Sequence, residues 1–348
     1  MKAALNLNST QILHKKSIQD REELDKRLRQ DPFQKLWTDN YLINFEQGLL
    51  SNEKTRPIAF LEKHPEYRNI PVILIAAGPS LDKNIDAIKG YEDKCIIVCA
   101  DVVLFKLLEH GIRPDFIVNV DPHESITRFW NFLDTSSLSL VCPTTTNPKS
   151  ISAWKGRFFF YNQEDDPNSY KGETLKKLTK PTQGWGSIFN RFFIGATMTE
   201  FSTIFKPNPL ILVGYDFAYT EGKAYCDGFL DIKVYHDENP EGTEEHKARL
   251  AAAINKMKAD EVQKELEVYV SKDNPSVWTS RTLHMYKQTY VQYAKTLSFP
   301  IINATEGGIL VEFPIAPLQE TLQKHCITSL GTKDFFSMPK RKKRRKKR

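Results

Sequence analysis

Apolar positions in this chain fall into short continuous runs, with amphipathic stretches between several of them. Val72–Ile75 is a wholly apolar run, which predicts a strand buried on both faces. Similar runs predict further strands at residues 95–100, 116–120, 138–142, 158–161, 209–213 and 299–302. Strands that alternate with helices are typical of a doubly wound sheet. The pattern therefore predicts an α/β fold with a Rossmann-like, mostly parallel sheet.

The same pattern divides the chain into five regions. Residues 1–69 are polar with apolar positions at helical spacing, which predicts an N-terminal helical cap with no visible chemistry. Residues 70–230 and 276–327 form the predicted core. Residues 231–275 begin with a charged connector and continue in a helical pattern from Glu244 to Val270, which predicts a helical insertion or lid. Residues 328–348 are predicted to be a disordered polybasic tail.

Composition narrows the class of protein. Apolar residues make up 40% of the chain and charged residues 26%, which is typical of a soluble protein. No apolar run is long enough to span a membrane, and Met1–Lys16 lacks the apolar centre of a signal peptide. The five cysteines form no even disulfide framework, so we expect reduced thiols and a cytoplasmic protein.

The positive charge is concentrated at one end of the sequence. Lys340–Arg348 are all Lys or Arg and contribute +9 to a formal net charge of +6, which leaves about −3 on the first 339 residues. The tail is expected to bind an anionic membrane surface, with nucleic-acid contact, nuclear targeting or a merely solvated tail as alternatives. A peripheral location at a membrane follows from the first of these.

Small residues follow the first predicted strand. Pro79 can occupy the first turn of a helix, whose amides and dipole favour a phosphate. An ordinary tight turn between strand and helix is the alternative. The turn predicts a nucleotide site made by Ala77, Gly78, Pro79 and Ser80.

Carboxylates end three of the predicted strands. Ligands of doubly wound sheets bind at the carboxyl ends of the strands, and Asp101, Asp121 and Asp216 all occupy such positions. A second small-residue segment, Thr182–Ser187, is expected to open a helix that runs toward Phe201, either as a ligand site or as a plain cap.

Four motifs in order carry a family resemblance: residues 77–81, residues 112–122, residues 213–219 and residues 302–308. Over about Pro71 to Lys324, the chain resembles the Maf family of flagellin glycosylation proteins. That family lies within the broader class named after the MptE-like hydroxymethylpterin diphosphokinases. The core also resembles the small bacterial sialyltransferases, which use a cytidine-monophosphate-linked sugar.

The resemblance implies a glycosyltransferase that takes a sugar, such as a nonulosonic acid, from a nucleotide-activated donor. Tyr219 and Tyr225 keep the spacing of two tyrosines that hold the leaving phosphate in the sialyltransferases. The Gly78–Ser80 turn would hold the nucleotide. The remaining implied positions are Thr182, Gln183, Gly184 and Ser187, which would face the donor sugar, and Asn303 and Glu306, which would line the opposite wall.

Two departures from the family pattern affect the site. Ala77 stands where the family has an asparagine that contacts the ligand. The catalytic histidine is expected near Val277 or Trp278, and His284 is the nearest histidine in the sequence. The general base is therefore unassigned.

For the glycosyltransferase, no obligatory metal is expected. Two alternatives to a glycosyltransferase remain open. An MptE-like, ATP-dependent pterin diphosphokinase would need Mg²⁺, for which Asp101, Asp121 and Asp216 are the candidate ligands. The paired aspartates typical of that branch are here only Asp121, followed by Pro122 and His123. The other alternative is a non-catalytic protein that binds a nucleotide or sugar; the acceptor is not identified by the sequence.

Overall fold

The computed structural model describes residues 32–191, 193–223, 225–228, 268–274 and 276–339. In these residues the chain forms one nine-stranded sheet in the order β1–β6–β5–β4–β3–β2–β8–β11, with β7 beside the far half of β6. Every strand pair in this sheet is parallel. The strands are β1 (Thr55–Pro57), β2 (Val72–Ile75), β3 (Ile96–Ala100), β4 (Phe116–Val118), β5 (Ser139–Pro143), β6 (Arg157–Glu164), β7 (Ser187–Phe189), β8 (Leu210–Val213) and β11 (Ile301–Asn303).

A separate antiparallel hairpin joins β9 (Val268–Val270) to β10 (Trp278–Ser280). The described helices are α1 (Pro32–Glu46), α2 (Leu81–Asn84), α3 (Leu104–Glu109), α4 (Pro148–Ala153), α5 (Tyr170–Leu178), α6 (Ile194–Ser202), α7 (Arg281–Ala294) and α8 (Leu318–His325). Short 3₁₀ turns such as Ile85–Ile88 and Thr220–Gly222 link several of them. The predicted α/β, Rossmann-like sheet is confirmed.

The central strands are buried on both faces, as their continuous apolar runs predict. All four side chains of β2 and all five of β3 are fully buried. Helix α6 packs on β2, β3 and β4. Strand order reverses at β2, because β3 to β6 lie on one side of it and β8 and β11 on the other. In doubly wound sheets, ligands bind outside the carboxyl ends of the strands near such a reversal.

The N-terminal region is less purely helical than predicted. Residues 1–31 lie outside the described residues, and α1 is helical, but Thr55–Pro57 is an edge strand of the main sheet, paired with Phe158–Phe160. Three residues are too short for a periodic signal, which is why the sequence pattern missed this strand.

Two predicted helices begin or end differently in the structure. The helix that Thr182–Ser187 is expected to open, running toward Phe201, begins only at Ile194, because Ser187–Phe189 forms β7. Strand β6 extends past the end of β1, so its last residues have a free edge that β7 covers. The predicted helix Glu244–Val270 lies mostly in residues 229–267, outside the described part of the chain, but its last three residues form β9.

Ordered structure continues beyond residue 327, where the sequence predicted the start of disorder. The C-terminal strap (residues 328–339) packs Phe335 against Tyr67 and Phe116, with ring centroids 4.3 and 4.7 Å away. Lys333 forms an ion pair with buried Asp115 and donates to the carbonyl of Cys95 at 2.8 Å. Phe335 and Lys333 therefore have partners in the core, although the charged sequence of this segment predicts disorder. Residues 340–348 lie outside the described residues.

All five cysteines are buried free thiols. Among the described helices, none has both the length and the apolar character needed to cross a bilayer.

Candidate functional site

The carboxylate of Asp216 joins two loops at the carboxyl edge of the sheet. Its side chain is 2% exposed. It accepts hydrogen bonds from Ser80 N at 3.2 Å, from Ser80 Oγ at 2.6 Å and from Thr220 Oγ1 at 2.5 Å. Burial raises its pKa, and the bonds from Ser80 and Thr220 partly oppose that rise. We call this arrangement the Asp216 cluster.

The small-residue turn after β2 serves this cluster. Gly78 N donates to Gly214 O at 2.9 Å, and Ser80 N is bound by Asp216. A Cβ atom at Gly78 would lie 1.9 Å from Asp216 Oδ1 and 2.4 Å from Gly214 O. The sequence predicted that amides of this turn point outward toward a phosphate. In the structure these two amides are instead bonded within the protein. Glycine is required here because the loop after β8 passes so closely.

The other predicted residues of this turn are also engaged within the protein. The carbonyl of Ala77 accepts from Cys226 N at 2.9 Å. Pro79 is buried at the start of the turn that leads into α2.

The polar turn after β11 completes the same region. Asn303 is buried, donates through Nδ2 to Leu310 O at 2.5 Å and accepts through Oδ1 from Thr305 N at 3.0 Å. Glu306 Oε1 accepts from Asn84 Nδ2 at 3.1 Å and from Leu318 N at 2.9 Å. Both predicted wall residues hold the turn and the start of α8 in place.

The predicted tyrosine pair is brought together beside this cluster. Tyr219 N donates to Trp278 O at 2.7 Å, which joins the pair to the β9–β10 hairpin. Tyr225 is 49% exposed. Partial burial raises its pKa, and the neighbouring Tyr219 and Tyr286 raise it further. Tyr286 in turn stacks on Phe193, with ring centroids 5.5 Å apart.

His284, the histidine nearest in sequence to the expected base, lies half-buried in the first turn of α7. Its Nε2 is 3.0 Å from Nε2 of Gln288, one turn later in the same helix.

A cavity of about 450 Å³ opens at the carboxyl ends of β4 and β6. Helix α1 forms one wall, and the segment from β7 into α6 forms another. We call it the α1 cavity. Its lining comprises Phe33, Trp37, Val120, Asp121, Pro122, His123, Tyr161, Gln163, Asp165, Lys171, Ile188, Phe189, Asn190, Phe193 and Thr197.

Helix α1 is fixed over this edge by two buried asparagines. Asn40 Nδ2 donates to Pro122 O at 2.9 Å and to Thr145 O at 3.0 Å. Asn44 Nδ2 donates to Thr144 O at 3.0 Å and to Thr146 O at 2.7 Å. The region that the sequence predicted to have no chemistry therefore supplies a cavity wall.

Two buried polar atoms of the cavity lining have no hydrogen-bond partner among the described residues: Trp37 Nε1, a donor, and Gln163 Oε1, an acceptor. Their side chains are 6% and 9% exposed. Buried polar groups are nearly always paired with protein, water or ligand, so these two atoms are exceptions, and neither is exposed to the open space of the cavity. Neither residue stands out in the sequence, since Trp37 has the character of a packing residue of the cap and the predicted strand ends at residue 161.

Asp121 and His123 face each other on the cavity rim. Nδ1 of His123 lies 2.6 Å from Oδ1 of Asp121. An ionised carboxylate only accepts hydrogen bonds, so Nδ1 carries a proton in this contact, and Nε2 is an acceptor in the neutral form of the imidazole. The ring of Phe33 contacts the imidazole edge-on at 5.4 Å.

Asp101 is buried close to Asp121. Its Oδ2 accepts from Asn119 Nδ2 at 2.7 Å and its Oδ1 from Val102 N at 2.9 Å. Burial raises its pKa to about 6; Asn119 lowers it, and the charge of Asp121 adds to the rise.

The three strand-end aspartates do not converge. Asp216 is held in its own cluster, away from the other two. Within the described part of the chain, no group of three or more His, Cys, Asp or Glu side chains is arranged to hold a metal ion.

The predicted donor-sugar segment lies apart, at the sheet edge. Thr182 is buried and donates from Oγ1 to Asn162 Oδ1 at 2.7 Å, so it anchors the turn before β7. Gln183 and Gly184 are exposed in that turn, and Ser187 is exposed at the start of β7. None of these four lines the α1 cavity.

A second cavity of about 540 Å³ lies at the opposite, amino-terminal edge of the sheet. It is lined by residues 69, 203, 206–208 and 296–300. It contains none of the predicted site residues, and ligands of this fold class bind at the other edge.

Comparison with known families matches residues 40–222, more than half of the chain, to a family described as "6-hydroxymethylpterin diphosphokinase MptE-like". The chain belongs to the MptE-like family. The matched range contains most of the α1 cavity lining and, in Ser80, Asp216 and Thr220, the three residues of the Asp216 cluster. It excludes β11, α7 and the β9–β10 hairpin.

Two other proteins are similar to parts of this MptE-like chain. An uncharacterized protein of Treponema pallidum (strain Nichols) is 31% identical over 91 residues, which are 26% of this chain and 39% of that protein. The solved structure of a Maf glycosyltransferase from Magnetospirillum magneticum AMB-1 is 13% identical and aligns with a TM-score of 0.46, over 77% of this chain and 39% of that one. The MptE-like chain thus spans well under half the length of both.

Proposed function

We propose that this MptE-like protein is a glycosyltransferase that uses a nucleotide-activated sugar, with a nonulosonic acid as one candidate sugar. The observation that carries the proposal is that Tyr225 lies near Tyr219 and Tyr286, and that Tyr286 stacks on Phe193, which lines the α1 cavity. Tyr286 and Phe193 therefore link Tyr225 to the cavity at the carboxyl edge. Family membership supports a transferase of some kind.

The tyrosines suit the departure of a nucleotide. When the bond between the anomeric carbon and the phosphate oxygen breaks, negative charge develops on that oxygen. A phenol is already protonated at neutral pH, and burial raises the pKa of Tyr225 further. A protonated phenol donates a hydrogen bond to the oxygen that becomes charged, and such donors stabilise the transition state more than the ground state.

The experiment is turnover with a panel of nucleotide sugars, followed as nucleotide release. We expect Tyr219→Phe and Tyr225→Phe each to lower kcat by roughly 10- to 1,000-fold, the range typical of one lost transition-state donor, with donor affinity little changed. Tyr91→Phe is the control, since Tyr91 lies before β3 at the opposite edge. Unchanged kcat in both variants would remove the proposed role of the pair.

A second candidate is the diphosphokinase activity in the family description. Asp101 and Asp121 follow the adjacent strands β3 and β4, and their charges interact, so they favour this reading more than any other residues do. Thermal shift separates the candidates: stabilisation by ATP with Mg²⁺ supports the kinase, and stabilisation by cytidine nucleotides supports the glycosyltransferase. Binding without turnover of either substrate would support a non-catalytic binding protein.

A further inference from the structure

We infer that Asp82 and Lys223 are positioning residues for Tyr225. They belong to a network of ion pairs that holds the loop of the predicted tyrosine pair against the turn after β2 and against helices α2 and α3. This inference rests on the proposed glycosyltransferase function, in which the phenol of Tyr225 serves the leaving phosphate. The turn after β2, which the sequence assigned to the nucleotide, then has the task of holding the tyrosines in place.

The tyrosine loop (residues 219–223 and 225–228) is bound to this turn at two points outside the network. At its start, Thr220 Oγ1 donates to the carboxylate of the Asp216 cluster, which includes a residue of the turn. Near its end, Cys226 N donates to Ala77 O at 2.9 Å. Both contacts lead to the same turn, so the loop follows that turn wherever it is placed.

The carboxylate of Asp82 provides a third point with charged bonds. Asp82 lies in α2, directly after the turn, and its side chain is 17% exposed. Its Oδ1 accepts from Lys106 Nζ at 2.8 Å and from Asp227 N at 2.9 Å, and its Oδ2 accepts from Lys223 Nζ at 3.1 Å. Hydrogen bonds to ionised groups are roughly twice as strong as neutral ones. Lys223 and Asp227 belong to the tyrosine loop, two positions before and two positions after Tyr225.

Two lysines make the network neutral overall. Lys106, from α3, is buried and also donates to Asp227 O at 3.0 Å. Lys223 also donates to Asp227 Oδ2 at 2.7 Å. Two ammonium groups therefore match two carboxylates. Burial opposes the charge of Asp82, but the hydrogen bonds from Lys106, Lys223 and the Asp227 amide outweigh it and hold the pKa of Asp82 below its usual value.

The place of the Tyr225 phenol matters for the proposed chemistry. A donor stabilises the departing phosphate only when its O–H reaches the oxygen on which charge develops. Misplacement of a reacting group by about 1 Å can cost about 100-fold in rate. Tyr225 is 49% exposed, so packing of its own ring restrains it less than burial would. The bonds on either side of it in the loop therefore set its place.

A second ion pair joins the same helix to the same loop at the surface. Nζ of Lys83, in α2, lies 2.9 Å from Oε1 of Glu221, in the tyrosine loop, and the two side chains are 47% and 58% exposed. Exposed ion pairs contribute little to stability. Lys83 is therefore the matched control for Lys223, because its pair links the same elements outside the network.

The first test measures the loop itself and does not depend on turnover. Hydrogen exchange of the full chain, followed by NMR at the amides of Cys226 and Asp227, reports the two backbone bonds near the end of the loop. We expect Lys223→Met and Asp82→Asn, which leaves one acceptor oxygen in place of two, each to speed exchange about tenfold or more. Lys83→Met should leave it unchanged. Wild-type exchange in both network variants, or an equal effect of Lys83→Met, would overturn the inference.

The second test compares turnover in single and double variants. We expect Lys223→Met to lower kcat about 10- to 100-fold with donor KM little changed, and Lys223→Arg, which keeps a charged donor for both carboxylates, to retain most of the activity. Because Lys223 acts through Tyr225, a chain with both Lys223→Met and Tyr225→Phe should be no slower than Tyr225→Phe alone. Effects that multiply in the double variant, or wild-type kcat in Lys223→Met, would show that Lys223 does not position Tyr225.

The two proposals fail differently. If the wild-type protein releases no nucleotide from any sugar donor, the proposed function fails and the catalytic part of this inference falls with it. The exchange result would still show whether the network holds the loop. If wild-type turnover is present and falls in Tyr225→Phe but not in Lys223→Met, the positioning role is wrong and the glycosyltransferase function is unaffected.

Discussion

Gly78 shows how a glycine after a buried strand can serve the protein's own backbone. The sequence suggested that it lets a ligand approach, and a Gly78→Val variant would then have tested ligand binding. In the structure, the space beside its Cα is filled by Asp216 Oδ1 and Gly214 O. A side chain at this position would push apart the loops after β2 and β8.

We therefore predict that Gly78→Ala lowers the free energy of unfolding by about 3 kcal/mol or more, because overpacking against backbone and a buried carboxylate has no easy relaxation. Chemical denaturation measures the change. Gly90→Ala is the comparison: nothing lies within 4 Å of its Cβ position, although its φ of +81° adds backbone strain, so it should cost only about 1–2 kcal/mol. Equal losses in the two variants would contradict the close approach.

Asp101 predicts a pH-dependent stability. Burial raises its pKa from 3.8 to about 6, so the folded state holds the proton more tightly than the unfolded state between these two values. Stability from this group is then greatest below the lower value and falls as pH rises to about 6. Above that pH the buried charge is a full penalty.

Asp101→Asn should remove this penalty. We expect the variant to match the wild type below about pH 4 and to gain on the order of 3 kcal/mol in free energy of unfolding above pH 7, since one pKa unit corresponds to about 1.4 kcal/mol. Asn119 can accommodate the new amide by turning its own, because Asn119 Oδ1 is buried without a partner among the described residues. Denaturation from pH 4 to 8 measures the difference, with exposed Asp39→Asn as control; a gain that does not grow with pH would refute it.

The position of a residue at the end of a strand was predictable, because the local pattern determines it. The residues that its side chain contacts were not predictable. Asp101, Asp121 and Asp216 follow strands, as their apolar runs indicate. Asp216 binds Ser80, which is 136 positions away in the sequence. This contact depends on the order of strands in the sheet. Trp37 and Gln163 line the α1 cavity only because α1 lies against the end of β6, which no sequence pattern shows.

At the scale of elements, the C-terminal strap is the clearest difference between sequence and structure. Its polar residues suggest disorder, but Lys333 reaches Asp115, whose carboxyl is buried before β4. Burial raises the pKa of Asp115, and the charge of Lys333 opposes that rise. Helix and strand assignments based on long apolar periods succeeded. The short strands β1 and β7 depend instead on pairing with β6, and the strap depends on contacts with the core.

We predict that Lys333→Met costs roughly 3–5 kcal/mol of folding free energy, the usual result of leaving a buried charge without its partner. Urea denaturation measures the loss. Adding Asp115→Asn to that variant should recover part of it, because no buried charge then remains. Lys176→Met, at an exposed position of α5, is the control. A single variant as stable as the wild type would show that the strap does not depend on this pair.

At the scale of the whole molecule, charge is divided between the chain and its last nine residues. The first 339 residues carry about −3 and Lys340–Arg348 carry +9. Basic residues near an anionic leaflet contribute up to about 1 kcal/mol each, and salt screens this attraction. We keep an anionic membrane surface as the first proposed partner of the tail and nucleic acid as the second.

The full chain is expected to co-sediment with phosphatidylserine vesicles at low salt, to be released as salt rises, and to ignore phosphatidylcholine vesicles. A chain ending at Pro339 should lose this binding and keep its activity, since the strap and both parts of the site remain. Equal sedimentation of the two chains would show that the tail is not the anchor. Displacement from vesicles by duplex DNA at low ratios would favour nucleic acid instead.

The reversal of strand order at β2 also has a consequence for synthesis on the ribosome. Strands β3 to β6 follow β2 directly in the sequence, but its other neighbour, β8, begins only at Leu210. Until then one edge of β2 has unpaired amides and carbonyls beside four side chains that are fully buried in the finished protein. Open apolar edges of this kind pair with other chains. Nascent chains that stall between residues 164 and 210 should therefore be the ones that aggregate or recruit chaperones.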